Sequence, residues 1–413
     1  MTIKYIIKMR KPLKFNWIKI CLMNLLIVAA FGVLMRYKIG FEFPFFNQKN
    51  LQYAHSHFAF SGWISLLLMV LIFCTIKHQI SYHTKLLFDK IFSAFLISAF
   101  GMLISFSIQG YGLFSILFST LSVLISLVFC SLFLYVTKNE KKLAGKNWMY
   151  AALLFNILST LGTLLLSYMM ASKKIDQHVY LASVYWYLHF QYNGWFFFSC
   201  VGIFINYLKE KNIILNNENI LFWIFFISCI PAYGLSVLWM NPPTWIYAII
   251  VVSAIAQFYG LINFIYQFVL SKAIKILRFN TLKKILLLFV SISLFIKIGL
   301  QLISTVPAIS KLAFGFRPIV IAYLHLVLLA FTSVFLISYL YFKELIRFTK
   351  LSIGGIIIFI SGILLNELVL TIQGIASLSY IVILFVNEIL FSIALIIFWG
   401  LILINTSGSL KEE

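Results

Sequence analysis

Four histidines stand inside apolar runs: His55, His57, His189 and His325. An imidazole in a bilayer is costly unless it faces the bundle interior with a partner. Two kinds of chemistry suit such positions. One is ligation of haem or a metal, since imidazole is a common axial ligand within helical bundles. The other is an interhelical hydrogen bond or a contact in a transporter's substrate site. The remaining histidines, His78, His83 and His178, fall between apolar runs and read as solvated loop residues.

Helical spacing sharpens the picture. His55 and His57 are two residues apart, so they point about 200° away from one another and address different sites. Ser61 follows His57 by four residues, and Asn193 follows His189 by four. Each pair shares a helix face, which makes the hydroxyl and the amide candidate partners of the rings. Gly62 and Gly194 mark places where a neighbouring helix or a flat macrocycle can approach closely.

The contexts of three histidines repeat. One segment reads Ala54-His55-Ser56-His57-Phe58-Ala59-Phe60-Ser61-Gly62-Trp63. The second reads Tyr187-Leu188-His189-Phe190-Gln191-Tyr192-Asn193-Gly194-Trp195, and the third Tyr323-Leu324-His325-Leu326 through Ala330-Phe331. Each of His57, His189 and His325 is followed five residues later by a small residue and six residues later by an aromatic one. Ile108-Gln109-Gly110 and Ile372-Gln373-Gly374 form a second repeated element. The spacing predicts three diverged four-helix units, roughly 17–136, 147–271 and 281–405, with pseudo-threefold symmetry within a single transmembrane domain spanning 1–413.

The elements that carry these residues are apolar runs of about 20 to 30 residues, the length of transmembrane helices. Of 413 residues, 62% are hydrophobic and 10% charged. A soluble domain carries about 25% charged residues. Barrel strands alternate over about ten residues, which these runs do not. The chain is therefore expected to be an all-α integral membrane protein with twelve spans. They are drawn at 17–35, 51–76, 86–108, 112–136, 147–171, 179–208, 219–240, 243–271, 281–305, 315–342, 351–374 and 379–405. Gly110-Tyr111-Gly112, Asn241-Pro242-Pro243 and Gly374-Ile375-Ala376-Ser377 are expected breaks. The five cysteines lie in apolar runs without a CxxC pair and read as small core residues.

The net charge of +21 does not indicate nucleic acid, because the basic residues cluster between apolar runs. They follow the positive-inside rule. Lys4, Lys8, Arg10, Lys11 and Lys14 precede span one; Lys138, Lys141, Lys142 and Lys146 follow span four. Lys272, Lys275, Arg278, Lys283 and Lys284 surround the link after span eight; Lys343, Arg347 and Lys350 follow span ten. Links after spans three, seven and eleven have no Lys or Arg. This places both termini in the cytoplasm, in a multi-pass protein of the cell's inner membrane. The first run, with no small-residue cleavage site after it, is expected to be a retained span.

Twelve spans, a cytoplasmic N-terminus, a threefold repeat and outer-half histidines in spans two, six and ten together resemble the catalytic subunit of haem–copper oxidases. The run Tyr185-Trp186-Tyr187-Leu188-His189 leading into Asn193-Gly194-Trp195 resembles most nearly the nitric oxide reductase large subunit. In that family a carboxylate stands where Asn193 stands here. The His-x-His of span two is also similar to NnrS-type haem- and copper-containing membrane proteins. The resemblance implies a b-type haem held by His57 or His55 together with His325. It implies that His189 belongs to a second metal centre of copper or non-haem iron. It further implies a cytochrome c or quinol electron donor, partner subunits, and oxidoreductase work in electron transfer or nitric oxide handling.

The departures from the family are specific. Span seven, ending Ser236-Val237-Leu238-Trp239-Met240, has none of the adjacent histidines that complete the family's reactive centre. Span ten has Tyr323 where the family's first histidine of His-x-His would stand. Tyr323, Tyr187 and His55 are the candidate replacements. Arg36 and Arg317 are candidates for haem propionate pairing, against the simpler reading of interfacial arginines that snorkel. Lys297, Glu367 and Glu388 lie within spans, where charge defaults to pairing or function. The rival reading is a multi-pass transporter or non-catalytic protein with a His-lined central cavity. Transporters more often carry twofold or inverted repeats.

Overall fold

The computed structural model describes residues 16–140, 142–310 and 316–408. Twelve long helical elements follow one another among these residues. They are α1 (Trp17–Gly40), α2 (Gln48–Ile76), α3 (Tyr82–Gln109), α4 (Leu113–Thr137), α5 (Lys146–Ser172) and α6 (177–210). Then come α7 (Glu218–Met240), α8 (Thr244–Leu270), α9 (Thr281–Ile303), α10 (Arg317–Phe342), α11 (Lys350–Leu378) and α12 (Val386–Ile404). No strand forms among the described residues; one antiparallel bridge joins Arg347 and Gly408. Lys4, Lys8, Arg10, Lys11, Lys14 and Lys141 lie outside the described residues.

Eleven of the described helices are long and apolar enough to cross a membrane. The exception is α6, whose middle reads Gln191-Tyr192-Asn193-Gly194-Trp195. It is long enough, and every residue from 189 to 200 is buried. Its polar side chains therefore meet protein, where partners satisfy them, and not lipid. The outer helices show the reverse. Leu113, Leu117, Leu121, Leu124 and Val128 form an exposed stripe at helical spacing along α4. An apolar stripe of that length suits hydrocarbon and not water. The protein is a multi-pass helical membrane protein.

Side-chain caps set several helix starts. Asn47 Oδ1 accepts the Lys49 and Asn50 N–H groups ahead of α2. Ser81 Oγ accepts from Thr84 N–H at 3.2 Å ahead of α3. Asp176 Oδ1 accepts from Val179 N–H at 3.0 Å ahead of α6. Asp176→Ala is expected to lower stability by ~1 kcal/mol, read as a downward shift of the thermal midpoint in detergent. Gly145 opens α5 at φ +69°, and a Cβ there would lie 2.2 Å from the Gly202 carbonyl oxygen. Only glycine fits that approach of α5 to α6.

One expected break does not occur. Gly374 lies inside α11, which continues to Leu378, and α12 starts later, at Val386. Gly374 sits against Ile319, which a Cβ would approach to 3.2 Å. It is a close-packing glycine and not a helix end.

The described residues form two compact units. One comprises the described parts of 1–143, 343–366 and 385–413; the other, those of 144–342 and 367–384. In the first unit α12 packs on α1. Tyr37 meets Phe391 at 5.5 Å, and Lys19 donates to the Asn405 and Ser407 carbonyls near the end of α12. Trp17 Nε1 donates to buried Asp89 at 2.6 Å, and Asn24 Nδ2 to the Gly62 carbonyl at 2.7 Å. Phe73, Phe88, Phe92 and Phe129 pack edge to face or tilted between α2, α3 and α4. In the second unit α5 supports α6: Gln191 Nε2 donates to Asn156 Oδ1 at 3.0 Å and to Ser159 Oγ at 2.8 Å.

Candidate functional site

Each histidine of the repeat precedes a π-helical stretch. The stretches are Ala59–Ser65 after His57, Phe190–Phe196 after His189, and Leu326–Ser333 after His325. A π stretch widens the turn, is rare, and is frequently found at functional sites. No residue type announces it, so these three stretches are not readable from residue types.

In the first unit the two histidines of α2 diverge, as their spacing requires. His55 Nδ1 meets the Val28 carbonyl on α1 at 3.0 Å. His57 stacks on Phe106 at 4.3 Å, and its Nε2 lies 3.2 Å from the Tyr111 hydroxyl. Because a carbonyl only accepts, Nδ1 of His55 carries the proton. That fixes Nε2 as the lone-pair nitrogen, the arrangement usual for metal-ligating imidazoles. Ser61 does not serve the His57 ring. Its hydroxyl donates to the His57 carbonyl at 2.7 Å, the back-bond that helical serines often make. Gly62 is covered by the Phe58 ring of its own helix, and Gly194 by Phe155 of α5. Side chains occupy both close approaches. Arg36 is half-buried in the last turns of α1.

In the second unit His325 repeats the His55 pattern: its Nδ1 lies 2.8 Å from the Ile321 carbonyl, one turn back. Nδ1–H donates there, and Nε2 is again the lone-pair nitrogen. Arg317 is the exposed first residue of α10, two turns before His325. Tyr323 packs edge-on to Tyr192 at 6.4 Å.

His189 differs. Its ring is buried, its Nε2 meets the Cys229 carbonyl at 2.9 Å, and Asn193 Nδ2 meets its Nδ1 at 3.1 Å. Nε2–H donates and Nδ1 accepts, so both ring nitrogens have protein partners. Asn193 is the ring partner that the four-residue spacing predicts. The Cys229 carbonyl comes from the chemistry of α7. Pro231 ends the α-helical run of Glu218–Cys229, and Pro231–Met240 continues as a 3-10 helix. Tyr233 N–H then donates to Ile230 at 3.2 Å, where α geometry would send it to Cys229.

A polar cluster that sequence reasoning only touched surrounds this ring. Lys297 and Gln301, one turn apart on α9, are both buried. Gln301 Nε2 reaches Asn193 Oδ1 at 3.5 Å, and its Oε1 has no hydrogen-bond partner among the described residues. Lys297 Nζ lies 5.6 Å from the centre of the Phe197 ring. A cavity of about 10 Å³ lies between Lys297, Gln257, Asn193 and Cys229. That is room for about one water. Among the described residues no carboxylate pairs with Lys297, whose ammonium faces the Phe197 ring. Polar residues recurring at helical spacing in α9 were the signal available from sequence.

Among the described residues no three His, Cys, Asp or Glu side chains gather as a metal-binding group. No protein-family model matches this chain, and no curated protein matches it.

Proposed function

We propose that this multi-pass protein binds b-type haem, which His325 and His55 would help to hold, and works in electron transfer or nitric oxide handling. The carrying observation is the shared tautomer: His55 and His325 each direct Nδ1–H to a backbone carbonyl, leaving Nε2 as the lone-pair atom. His57 is the alternative to His55, with its Nε2 against Tyr111. Recurrence of a π stretch behind each repeat histidine supports the pseudo-threefold, oxidase-like reading. Haem, when bound, would supply a one-electron couple; the chain's part is to orient the two imidazoles. Arg36 and Arg317 are the candidates for its propionates. A cytochrome c or a quinol, and partner subunits, belong to this proposal, as does an inner-membrane location with both termini in the cytoplasm.

A second centre of copper or non-haem iron at His189 with Tyr323 fits less well, because both ring nitrogens of His189 already have partners. The proposal is therefore of a haem protein in the oxidase and nitric oxide reductase mould without the usual reactive centre. The transporter rival would need more space than the single-water cavity at Lys297. The test is a dithionite-reduced minus oxidised absorption spectrum of purified protein, with metal analysis on the same sample. Sharp α and Soret bands of six-coordinate haem b are expected. A colourless preparation from haem-sufficient cells would end the haem reading and favour the transporter.

A further inference from the structure

In the second unit a cavity of about 110 Å³ lies between α6, α8, α9 and α10. Its walls are apolar, with Phe264 and Phe268 from α8, Leu287 and Val290 from α9, and Phe335 and Phe342 from α10. The wall hydroxyls are turned inward to their own helices: Ser291 Oγ donates to the Leu287 carbonyl at 2.8 Å, and Ser338 Oγ to Val334 at 2.6 Å. Such a wall offers dispersion contact and no hydrogen bond. Phe264, Leu287 and Ser291 are only half-buried, so the space opens as a groove along the α8–α9 face.

The mouth of this groove is cationic. Lys283 comes four residues before Leu287 on α9, about one turn past the apolar wall, and Lys272 lies just beyond the end of α8 at Leu270. Lys272 is exposed and Lys283 half-buried. Lys283 Nζ stands 5.1 Å from the Tyr341 ring centre and 5.9 Å from that of Phe279. Phe279 packs on Phe342, a wall residue, at 4.6 Å. The apolar groove and the lysine mouth are thus one continuous surface.

We propose that this groove holds an acyl chain of an anionic phospholipid, with its phosphate at the Lys272 and Lys283 mouth. The fit is one of charge as well as shape: a neutral lipid or a quinone would fill the groove equally but would gain nothing from the lysines. Each lysine near a lipid surface favours an anionic headgroup by a roughly fivefold factor. The proposal does not rest on the haem reading.

The test is native mass spectrometry of the purified full-length protein, delipidated and titrated with equimolar phosphatidylglycerol and phosphatidylcholine of the same chains. Wild type is expected to retain phosphatidylglycerol preferentially. Lys283→Gln should cut that preference about fivefold, and Ser291→Trp, which fills the groove, should lower occupancy by both lipids. Equal retention of the two lipids by wild type, or a preference that survives Lys283→Gln, overturns the proposal. Lys272→Gln is the second headgroup variant. It lies on the exposed link after α8 and tests the same preference if Ser291→Trp does not fold.

Discussion

His325→Ala should leave a protein that inserts and purifies like wild type but has lost its α and Soret bands. The reason lies in one turn of α10. The Ile321 carbonyl holds Nδ1–H of His325 at 2.8 Å, which presets the ring and leaves Nε2 as the donor atom. Alanine removes that donor without removing a buried side chain, because the imidazole is only half-buried. Loss of a partner that merely orients a ligand costs about 10–100-fold in affinity, so loss of the ligand itself should cost at least as much. His55→Ala should do the same, because Val28 presets that ring in the same way. His57→Ala should retain haem, since Tyr111 stands at its Nε2. Haem content unchanged in both the His325 and His55 variants would refute the assignment. Loss in His57→Ala but not in His55→Ala would move the ligand two residues along α2 and keep the haem.

How much of this was readable in the residues depends on which force fixes each feature. The spans were readable because hydropathy over about 20 residues is a solvent-transfer property of the local chain. Even so, α6 misled in part. Its Gln191-Tyr192-Asn193 core is tolerable only because protein surrounds it, which is a tertiary fact. Gly374 reads as a breaker but packs on Ile319 inside α11. The same one-turn spacing gave Asn193 a ring nitrogen and Ser61 a backbone carbonyl. A short hydroxyl reaches its own helix more readily than a neighbour, whereas an amide is long enough to choose. The π stretches behind the histidines and the Cys229 carbonyl offered to His189 are consequences of bonding register, which no residue type encodes directly. Pro231 is the exception, since a missing N–H in mid-span forces a change of register.

Lys297→Met should raise the thermal midpoint and not lower it. Lys297 is 3% exposed in the middle of a bundle helix, with Phe197 against its ammonium and no described carboxylate paired with it. A lysine at the centre of a membrane span costs about 2.5–3.5 kcal/mol, and methionine has nearly the same length without that cost. A thioether also packs well against an aromatic ring, so the Phe197 contact persists in another form. A gain of about 2–3 kcal/mol in detergent unfolding is therefore expected. A fall in the midpoint would mean that Lys297 holds Gln257, Cys229 and Gln301 together, and the stabilising prediction would fail. Gln301→Leu separates the two cases. Its Oε1 is already without a partner, so an apolar replacement should cost little if the cluster is a functional burden, and should cost as much as Lys297→Met if the cluster is a structural clamp. A residue that weakens its own fold persists when it does something else. Here that something is an ammonium one turn from Gln301 and beside the space for a single water, next to a repeat histidine whose two nitrogens are both already engaged.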